Sequence, residues 1–245
     1  MDQVSVTAAS GLQSRIEALD LVANNLANTT TGGFKLDREF YTLFSAADND
    51  AEGAGTRLPQ IQKQWTDFSQ GVLTPTGNAL DLALSGKGFF AVNGPSGPLY
   101  TRNGSFQLSP GGQLTSSEGY PVRDTNGQPI QSQSQAPMEI DEDGSITQAG
   151  QVLGQLQVVD FPDTSVLQKM GNSYFMPNNP KTVAVPAPDT VVKQGKSENS
   201  NVAPAESAVR LVGLMRQFEM LQKAITITTD MNKQALSEVA RVSGA

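Results

Sequence analysis

A glycine-rich run in the middle of the chain has the spacing of a nucleotide-binding loop. Residues 86–91 read Gly-Lys-Gly-Phe-Phe-Ala. This fits the GxGxxA pattern, in which the start of a helix holds a dinucleotide phosphate. That chemistry needs a helix directly after the glycines, but the turn sequence Asn-Gly-Pro follows at residues 93–95. The run therefore predicts a turn into a buried strand, with Phe89 or Phe90 in the core, and we expect no cofactor.

An acidic loop at residues 141–144 (Asp-Glu-Asp-Gly) has some features of a calcium loop. In EF-hand register Glu139 would be the first ligand, and Gly150 would stand where the bidentate glutamate belongs. Flanking helices are not predicted either. The favoured interpretation is a hairpin turn with Asp-Gly at its tip, and we predict no metal site.

The sequence offers few residues for other kinds of catalysis. The chain has no Cys and no His, which removes thiol catalysis, Cys/His zinc sites and Ser–His–Asp triads. Paired carboxylates could still cleave a glycoside, but the acids fall at predicted turns or strand edges, and Trp65 is the single tryptophan that could stack on a sugar. We therefore predict that the protein is not an enzyme. The acids considered are Asp67, Asp81, Asp124, Asp141 and Asp160.

Charge and hydropathy exclude two further classes. The 245 residues carry a net charge of −7, and lysine and arginine do not cluster, which argues against a nucleic-acid partner. No stretch approaches about 18 consecutive apolar residues, so no membrane insertion is predicted. The N-terminus lacks the basic and apolar regions of a cleavable signal peptide. We expect a soluble protein, or one exported without a cleaved signal.

Both ends of the chain predict amphipathic helices. Their apolar residues recur at alternating spacings of four and three, as in the seam of a coiled coil. The N-terminal seam comprises Leu12, Ile16, Leu19, Ala23 and Leu26. The C-terminal seam comprises Leu211, Leu214, Phe218, Leu221, Ile225, Asn232 and Val239, in which the polar Asn232 can fix register or partner.

The C-terminal helix is long for a chain of this size. Roughly 36 residues would extend about 54 Å, and a helix of that length needs a partner for its seam. An ordinary helical hairpin packed on a β domain is one interpretation. The narrow seams favour the other, in which the helices pair and also contact neighbouring molecules.

The segment between the helices predicts antiparallel β structure, because turn signals recur every 8–12 residues or so. The predicted fold class is thus α+β, with N- and C-terminal helices paired as a coiled-coil domain and an inserted antiparallel all-β domain. The predicted boundaries are an N-terminal helical half (1–45), an extended connector (46–75), a β domain (76–180), a Pro-rich linker (181–205) and a C-terminal helical half (206–245).

Several motifs resemble flagellar axial proteins, and within them the basal-body rod family. The N-terminal run at 23–35, ANNLANTTTGGFK, is the most specific. Further matches are LDLAL at 80–84, GKGFF at 86–90, YTRNGSF at 100–106, GYPV at 119–122, SNV at 200–202 and RQFEM at 216–220. The family-motif residues that we single out are Asn24, Asn25, Asn28, Gly33 and Phe34.

The resemblance implies a structural subunit of the flagellar rod, which crosses the periplasm as a drive shaft. It implies partners among other rod proteins and copies of the same chain, and passage through the flagellar type III export apparatus. The RQFEM run and the MDQVSV start are most similar to the proximal rod protein. Two alternatives stay open: a distal rod or hook-type axial protein, and a soluble coiled-coil homodimer carrying a β-domain binding module.

Overall fold

The structure is a computed structural model that describes residues 3–45, 57–134, 136–171, 173–179 and 182–243. At 3–10, 40–45, 57–63, 236 and 238–243 it describes the backbone alone. The chain divides into two compact units. The terminal unit contains residues 1–26, 37–65 and 203–245, and the central unit contains residues 27–36 and 66–202.

Two helices and a β-ribbon form the described part of the terminal unit. Helix α1 spans Gln3–Ala27 and helix α2 spans Pro204–Ser243. Strands β1 (Leu36–Ser45) and β2 (Arg57–Asp67) pair with each other in a two-stranded sheet. Proline begins α2, where its missing N–H has no intrahelical partner to lose, and Glu206 places an acid in the first turn.

The central unit is built from short strands that follow one another along the chain. Their bounds are β3 Leu73–Pro75, β4 Leu82–Ser85, β5 Phe89–Gly94, β6 Gly97–Thr101, β7 Phe106–Leu108, β8 Leu114–Ser116, β9 Met138–Ile140, β10 Ser145–Gln148, β11 Gln151–Gln155, β12 Val158–Asp160, β13 Leu167–Lys169, β14 Tyr174–Pro177, β15 Val185–Pro186, β16 Val191–Gln194 and β17 Lys196–Glu198. A short 3₁₀ turn, Thr164–Val166, precedes β13.

These strands form one six-stranded sheet and several smaller ones. The large sheet has the order β13-β14-β6-β5-β12-β15, and β11-β10-β9 forms a three-stranded sheet. Three two-stranded pairs complete the unit: β16-β4, β17-β3 and β7-β8. The pairings with a defined register in this unit are antiparallel.

Strand β5 explains where the core lies. Phe90 and Val92 belong to one apolar cluster, and Phe89 and Ala91 belong to a second. Because successive side chains of a strand point to opposite faces, β5 is covered on both sides. Both Phe89 and Phe90 are therefore buried, at 2% and 0% exposure.

The glycine-rich run and the acidic loop, whose sequences resemble ligand-binding motifs, are a turn into a strand and a hairpin turn. Residues 89–94 continue the glycine run of 86–91 as strand β5 and not as a helix, so the phosphate-binding arrangement is missing from this run. At 141–144 the amide of Gly144 donates to the carbonyl of Asp141 at 2.9 Å, inside the β9–β10 hairpin. Gly144 has φ of +84°, which favours glycine at this tip.

The observed class is α+β, as predicted. The structure differs from the sequence-based description in that strands also occupy the stretches described as connector and Pro-rich linker. Strands β2 and β3 lie within 46–75, and β15, β16 and β17 lie within 181–205. The physical reason is pairing at long range: β16 adds to β4 and buries Val192 in the main apolar cluster.

Gly104 gives a test of this packing. A Cβ there would lie 1.8 Å from the carbonyl oxygen of Leu82, so the backbones must separate. We expect Gly104→Ala to lower the free energy of unfolding of the central unit by about 1–3 kcal/mol, measured by urea unfolding. Gly111→Ala is the matched control, because the nearest atom is Ser109 Oγ at 3.8 Å. Equal effects of the two substitutions would contradict the close approach.

Candidate assembly surfaces and the junction

The buried face of α1 differs from its predicted seam. Ala18, Leu21 and Val22 are buried in a cluster with Leu214 of α2, and Leu19 and Leu211 pack at its edge. The predicted seam residue Ile16 is 46% exposed, and Ala23 is also exposed. The helix thus turns one apolar face toward α2 and leaves Ile16 and Ala23 of the predicted seam exposed.

The α2 seam coincides with the least exposed line of that helix over its first half. Leu214 is buried, and four further seam residues are half-buried: Leu211, Phe218, Leu221 and Ile225. The adjacent residues are mostly exposed. A side chain at Gly11 of α1 would come within 3.9 Å of Leu221 Cδ1, so Leu221 also lies near α1.

The remaining seam residues are placed as follows. Leu12 and Leu26 of α1 are half-buried, and Asn232 of α2 is exposed. The side chain of Val239 lies outside the described residues. The structure therefore brings Leu19, Leu211 and Leu214 together, and does not bring Ile16, Ala23 or Asn232 into that contact.

Asn25 links the end of α1 to β1. Its side-chain Nδ2 donates to the carbonyl of Asp37 at 2.8 Å, and the amide of Asp37 donates to Asn25 Oδ1 at 3.0 Å. The side-chain amide thus pairs with the backbone as a neighbouring strand would. Because Asn25 is only 2% exposed, its polar groups need these partners.

The other family-motif residues shape the turn after α1. Asn28 Oδ1 accepts a hydrogen bond from Thr31 Oγ1 at 3.1 Å, while Asn24 is exposed. Gly33 has φ of +65°, and a Cβ there would lie 2.3 Å from the amide nitrogen of Asn103, so this position requires glycine. Phe34 is 1% exposed, and Lys169 Nζ lies 3.9 Å from the centroid of its ring.

A buried ion cluster follows directly on this motif. Glu198 Oε1 accepts from Lys35 Nζ at 2.5 Å, and Glu198 Oε2 accepts from Arg102 Nη1 at 3.3 Å. The side chains of Lys35 and Glu198 are fully buried. Lys35 also donates to the carbonyl of Ser69 at 2.7 Å, and the amide of Gly71 donates to Glu198 at 3.0 Å.

Asn201 ties the same three segments together. Its side chain accepts from the amide of Leu36 at 2.7 Å, and donates to the carbonyl of Asp67 at 2.8 Å and that of Ser69 at 3.1 Å. In addition, the amide of Gly33 donates to the carbonyl of Glu198 at 2.7 Å. We call residues 33–36, 67–71 and 198–202 the junction. Within the central unit they adjoin three of the points where the chain passes to or from the terminal unit.

Burial sets the electrostatics of the cluster. Loss of water around the ammonium lowers the pKa of Lys35, and the attraction of Glu198 only partly offsets this. Burial lowers the pKa of Arg102 in the same way, again opposed by Glu198. Two cations share one carboxylate, so the carboxylate is the group that cannot be removed without leaving buried charge uncompensated.

Sequence reasoning assigned no role to these residues. Lys35, Arg102 and Asn201 stand inside motif stretches, and Glu198 stands in the stretch described as a linker. The usable signal was the GGFK run, in which a lysine directly follows the family-motif residue Phe34. Its partner lies 163 positions away, and no periodicity in the sequence connects the two.

Among the residues that the structure describes, no helix combines the length and apolar character needed to cross a membrane. The described acidic side chains also form no group of three or more suited to holding a metal ion.

Comparison with known families decides what kind of protein presents these surfaces. Residues 6–35 match the family described as flagella basal body rod protein, and residues 193–238 match the C-terminal region of the flagellar basal body rod FlgEFG proteins. Residues 83–152 match the D1 domain of the flagellar hook protein FlgE/F/G family. A relative in Buchnera aphidicola of Schizaphis graminum, named flagellar basal-body rod protein FlgG, is 33% identical over 94% of this chain and 96% of its own length. The chain belongs to the flagellar basal-body rod protein family.

Further relatives agree with this assignment. The flagellar basal-body rod proteins FlgF of Caulobacter vibrioides and of Mesorhizobium japonicum are 29% and 30% identical to this chain. The matches cover 99% and 98% of the chain, and 100% and 98% of the relatives. The protein is thus a structural subunit of the flagellar rod and not an enzyme, and rod proteins assemble with other flagellar axial proteins.

The shared carboxylate of the junction gives a prediction with a clear asymmetry. Glu198→Gln leaves Lys35 and Arg102 buried without their anion, so we expect a loss of about 3–5 kcal/mol in the unfolding free energy of the central unit. Lys35→Met leaves one cation on one carboxylate and should cost less. Combining the two substitutions should recover part of the loss. Urea unfolding followed by circular dichroism measures all three, and equal losses for the two single variants would contradict the argument.

The lowered pKa of Lys35 predicts a pH dependence. Between that lowered value and the usual 10.5, the unfolded chain binds more protons at this site than the folded chain. The contribution of Lys35 to the unfolding free energy therefore rises with pH in this window. Relative to Lys35→Met, the natural chain should gain stability as the pH is raised from about 7 to about 10. A difference that shrinks over this range would show that the pKa is raised instead.

Proposed function

We propose that this rod subunit polymerises through its terminal helices, paired in coiled-coil fashion, with copies of itself and with related axial proteins. The observation that carries the proposal is the exposure of apolar side chains on both helices. In α1, Ile16 is 46% exposed. In α2, the residues Val209, Met220, Ile227 and Met231 are each more than half exposed. Exposed apolar surface of this extent is typical of interaction sites.

These α2 residues form a second stripe, distinct from the predicted seam. Val209 stands two positions before the seam residue Leu211, and Met220 and Ile227 stand two positions after Phe218 and Ile225. Met231 stands one position before the polar Asn232. At about 100° per residue, that offset places them on another side of the helix. A helix with an apolar line on two sides can contact α1 and a neighbouring molecule at the same time.

The unlike character of the exposed faces favours an open polymer. Among the described residues of α1 the exposed large apolar side chain is the aliphatic Ile16, whereas two of the four residues of the second α2 stripe are methionines. If the α1 face of one molecule meets the α2 face of the next, the contact is heterologous, and such contacts extend into helical assemblies unless a rotation closes them. A homodimer that forms through one self-complementary face would not use both the exposed α1 face and the second α2 stripe.

We further propose a proximal position in the rod, with the subunit lying in the part of the shaft that crosses the periplasm. The support is the RQFEM run at 216–220 and the MDQVSV start. Relatives named FlgF and FlgG match the chain to a similar degree, at 29–30% and 33% identity, so overall identity does not separate rod positions. A distal rod or hook-type position is the alternative within the family.

The proposal includes delivery through the flagellar export apparatus with the terminal helices unfolded. Isolated amphipathic helices are marginal in water, and assembly would supply the apolar burial that orders them. The purified monomer should therefore exchange the amide hydrogens of both helices much faster than those of β5 and β6. Full protection of the helices in the monomer would contradict this part of the proposal.

Phe218 tests the role of the helices in assembly. Phe218 is half-buried in the single chain and would be buried in the proposed assembly, where truncating a phenylalanine costs about 3–5 kcal/mol. Phe218→Ala should therefore weaken polymerisation strongly while the central unit keeps its circular dichroism and thermal transition. Gln217→Ala, an exposed neighbour, is the control and should assemble normally. Normal flagella in the Phe218→Ala strain would contradict the proposal.

Photo-crosslinking from position 218 in cells separates this function from the soluble homodimer. Adducts to rod, hook-junction or basal-ring proteins are expected, and their identities would distinguish proximal from distal. Adducts to the same chain alone, unchanged when the export apparatus is removed, would support the homodimeric binding module instead.

A further inference from the structure

The strand that leads into α2 lacks the usual determinant of its register. Strand β17 (Lys196–Glu198) pairs with β3 (Leu73–Pro75), with Ser197 opposite Thr74 and Glu198 opposite Leu73. Register is normally fixed by an apolar face that must be buried. In β17, Lys196 and Ser197 are half-buried, and the single buried side chain is the charged Glu198.

The partner strand β3 adds little apolar preference, and the buried Val192 of β16 lies on the far side of Gly195. The three residues of β3 are half-buried or exposed. Gly195, just before β17, has φ of +73° and no atom within 4 Å of an added Cβ. A short polar strand bounded in this way is prone to slippage unless something else holds it.

The ion cluster supplies that hold. In the observed register Glu198 lies between Lys35 and Arg102, at 2.5 Å and 3.3 Å. After a one-residue slip, Ser197 or Asn199 would take its place. A hydroxyl or amide would then face two buried cations, which is far less favourable than the carboxylate.

We propose that the Lys35–Glu198–Arg102 cluster is a register lock, which selects one pairing of β17 with β3 and so fixes where the chain enters α2. Its contribution is to the uniqueness of the fold more than to its stability. A buried ion pair replaced by apolar residues of similar size often leaves stability unchanged. A one-residue slip, however, displaces a strand by about 3.3 Å. The lock acts within one chain and does not depend on the proposed assembly.

Engineered disulfides can measure the register, because the chain has no native cysteine. Thr74→Cys with Ser197→Cys reports the observed register, since these residues are direct partners. Thr74→Cys with Lys196→Cys and Pro75→Cys with Ser197→Cys report the two one-residue slips. In the observed register, the cysteines of each slipped pair point to opposite faces and cannot bond.

The test compares these pairs in two backgrounds of the full chain. With the natural cluster, we expect the adduct of the observed register alone. With Lys35→Met, Arg102→Met and Glu198→Met together, we expect a slipped adduct to rise from undetectable to within about tenfold of the native one. The variant should keep its circular dichroism and a comparable thermal transition. A folded triple variant that gives only the native adduct would overturn the proposal.

Two single variants complete the design. Lys169→Met removes a nearby lysine that donates to the carbonyl of Lys35 at 2.8 Å and is not a member of the Lys35–Glu198–Arg102 cluster, so it should give the native adduct alone. If the triple variant does not fold, Lys35→Met decides, since it leaves a neutral Arg102–Glu198 pair. If Lys35→Met gives more slipped adduct than the natural chain, the result supports the lock. If it gives no slipped adduct, the result contradicts the lock.

Discussion

One buried carboxylate, shared by two cations from distant parts of the chain, is the constraint on which the ends of this molecule depend. Glu198 contacts Lys35 and Arg102, its Oε1 also accepts from the amide of Gly71, and its backbone carbonyl accepts from the amide of Gly33. Desolvation of three charges is costly, and the cluster is tolerated because nearly every polar atom has a partner. The chain thereby leaves and re-enters the central unit at defined points.

The terminal helices solve a different physical problem. In the proposed assembly each must present enough apolar surface to associate, yet neither is fully buried within one chain. Their contact through Ala18, Leu21, Val22 and Leu214 covers one face and leaves others uncovered. A helix that is apolar on more than one side is poorly suited to a stable monomer and well suited to a subunit with several neighbours.

The sequence predicted the parts that depend on local pattern. The two terminal helices, the antiparallel character of the middle and the turn at 141–144 follow from spacing and turn residues. The turn predicted at 93–95 lies slightly later, between the paired residues Gly94 and Gly97. The predicted α1 seam and the buried α1 face differ because heptad spacing identifies an apolar line without saying what covers it. The role of Glu198 could not be predicted, since a charged residue in a polar, proline-rich stretch is normally exposed, and its burial depends on Lys35, 163 positions away.

The separation of Lys35 from Glu198 has a kinetic consequence. The entropy lost on closing a loop grows with its length, so contacts within hairpins such as β5–β6 form early and the junction forms late. When the chain is synthesised or delivered from its N-terminus, Lys35 emerges long before Glu198. Until then, the two cations and the carbonyl groups of 67–69 must remain in water. We therefore expect the contacts that join the beginning of the central unit to its end to be among the last to form.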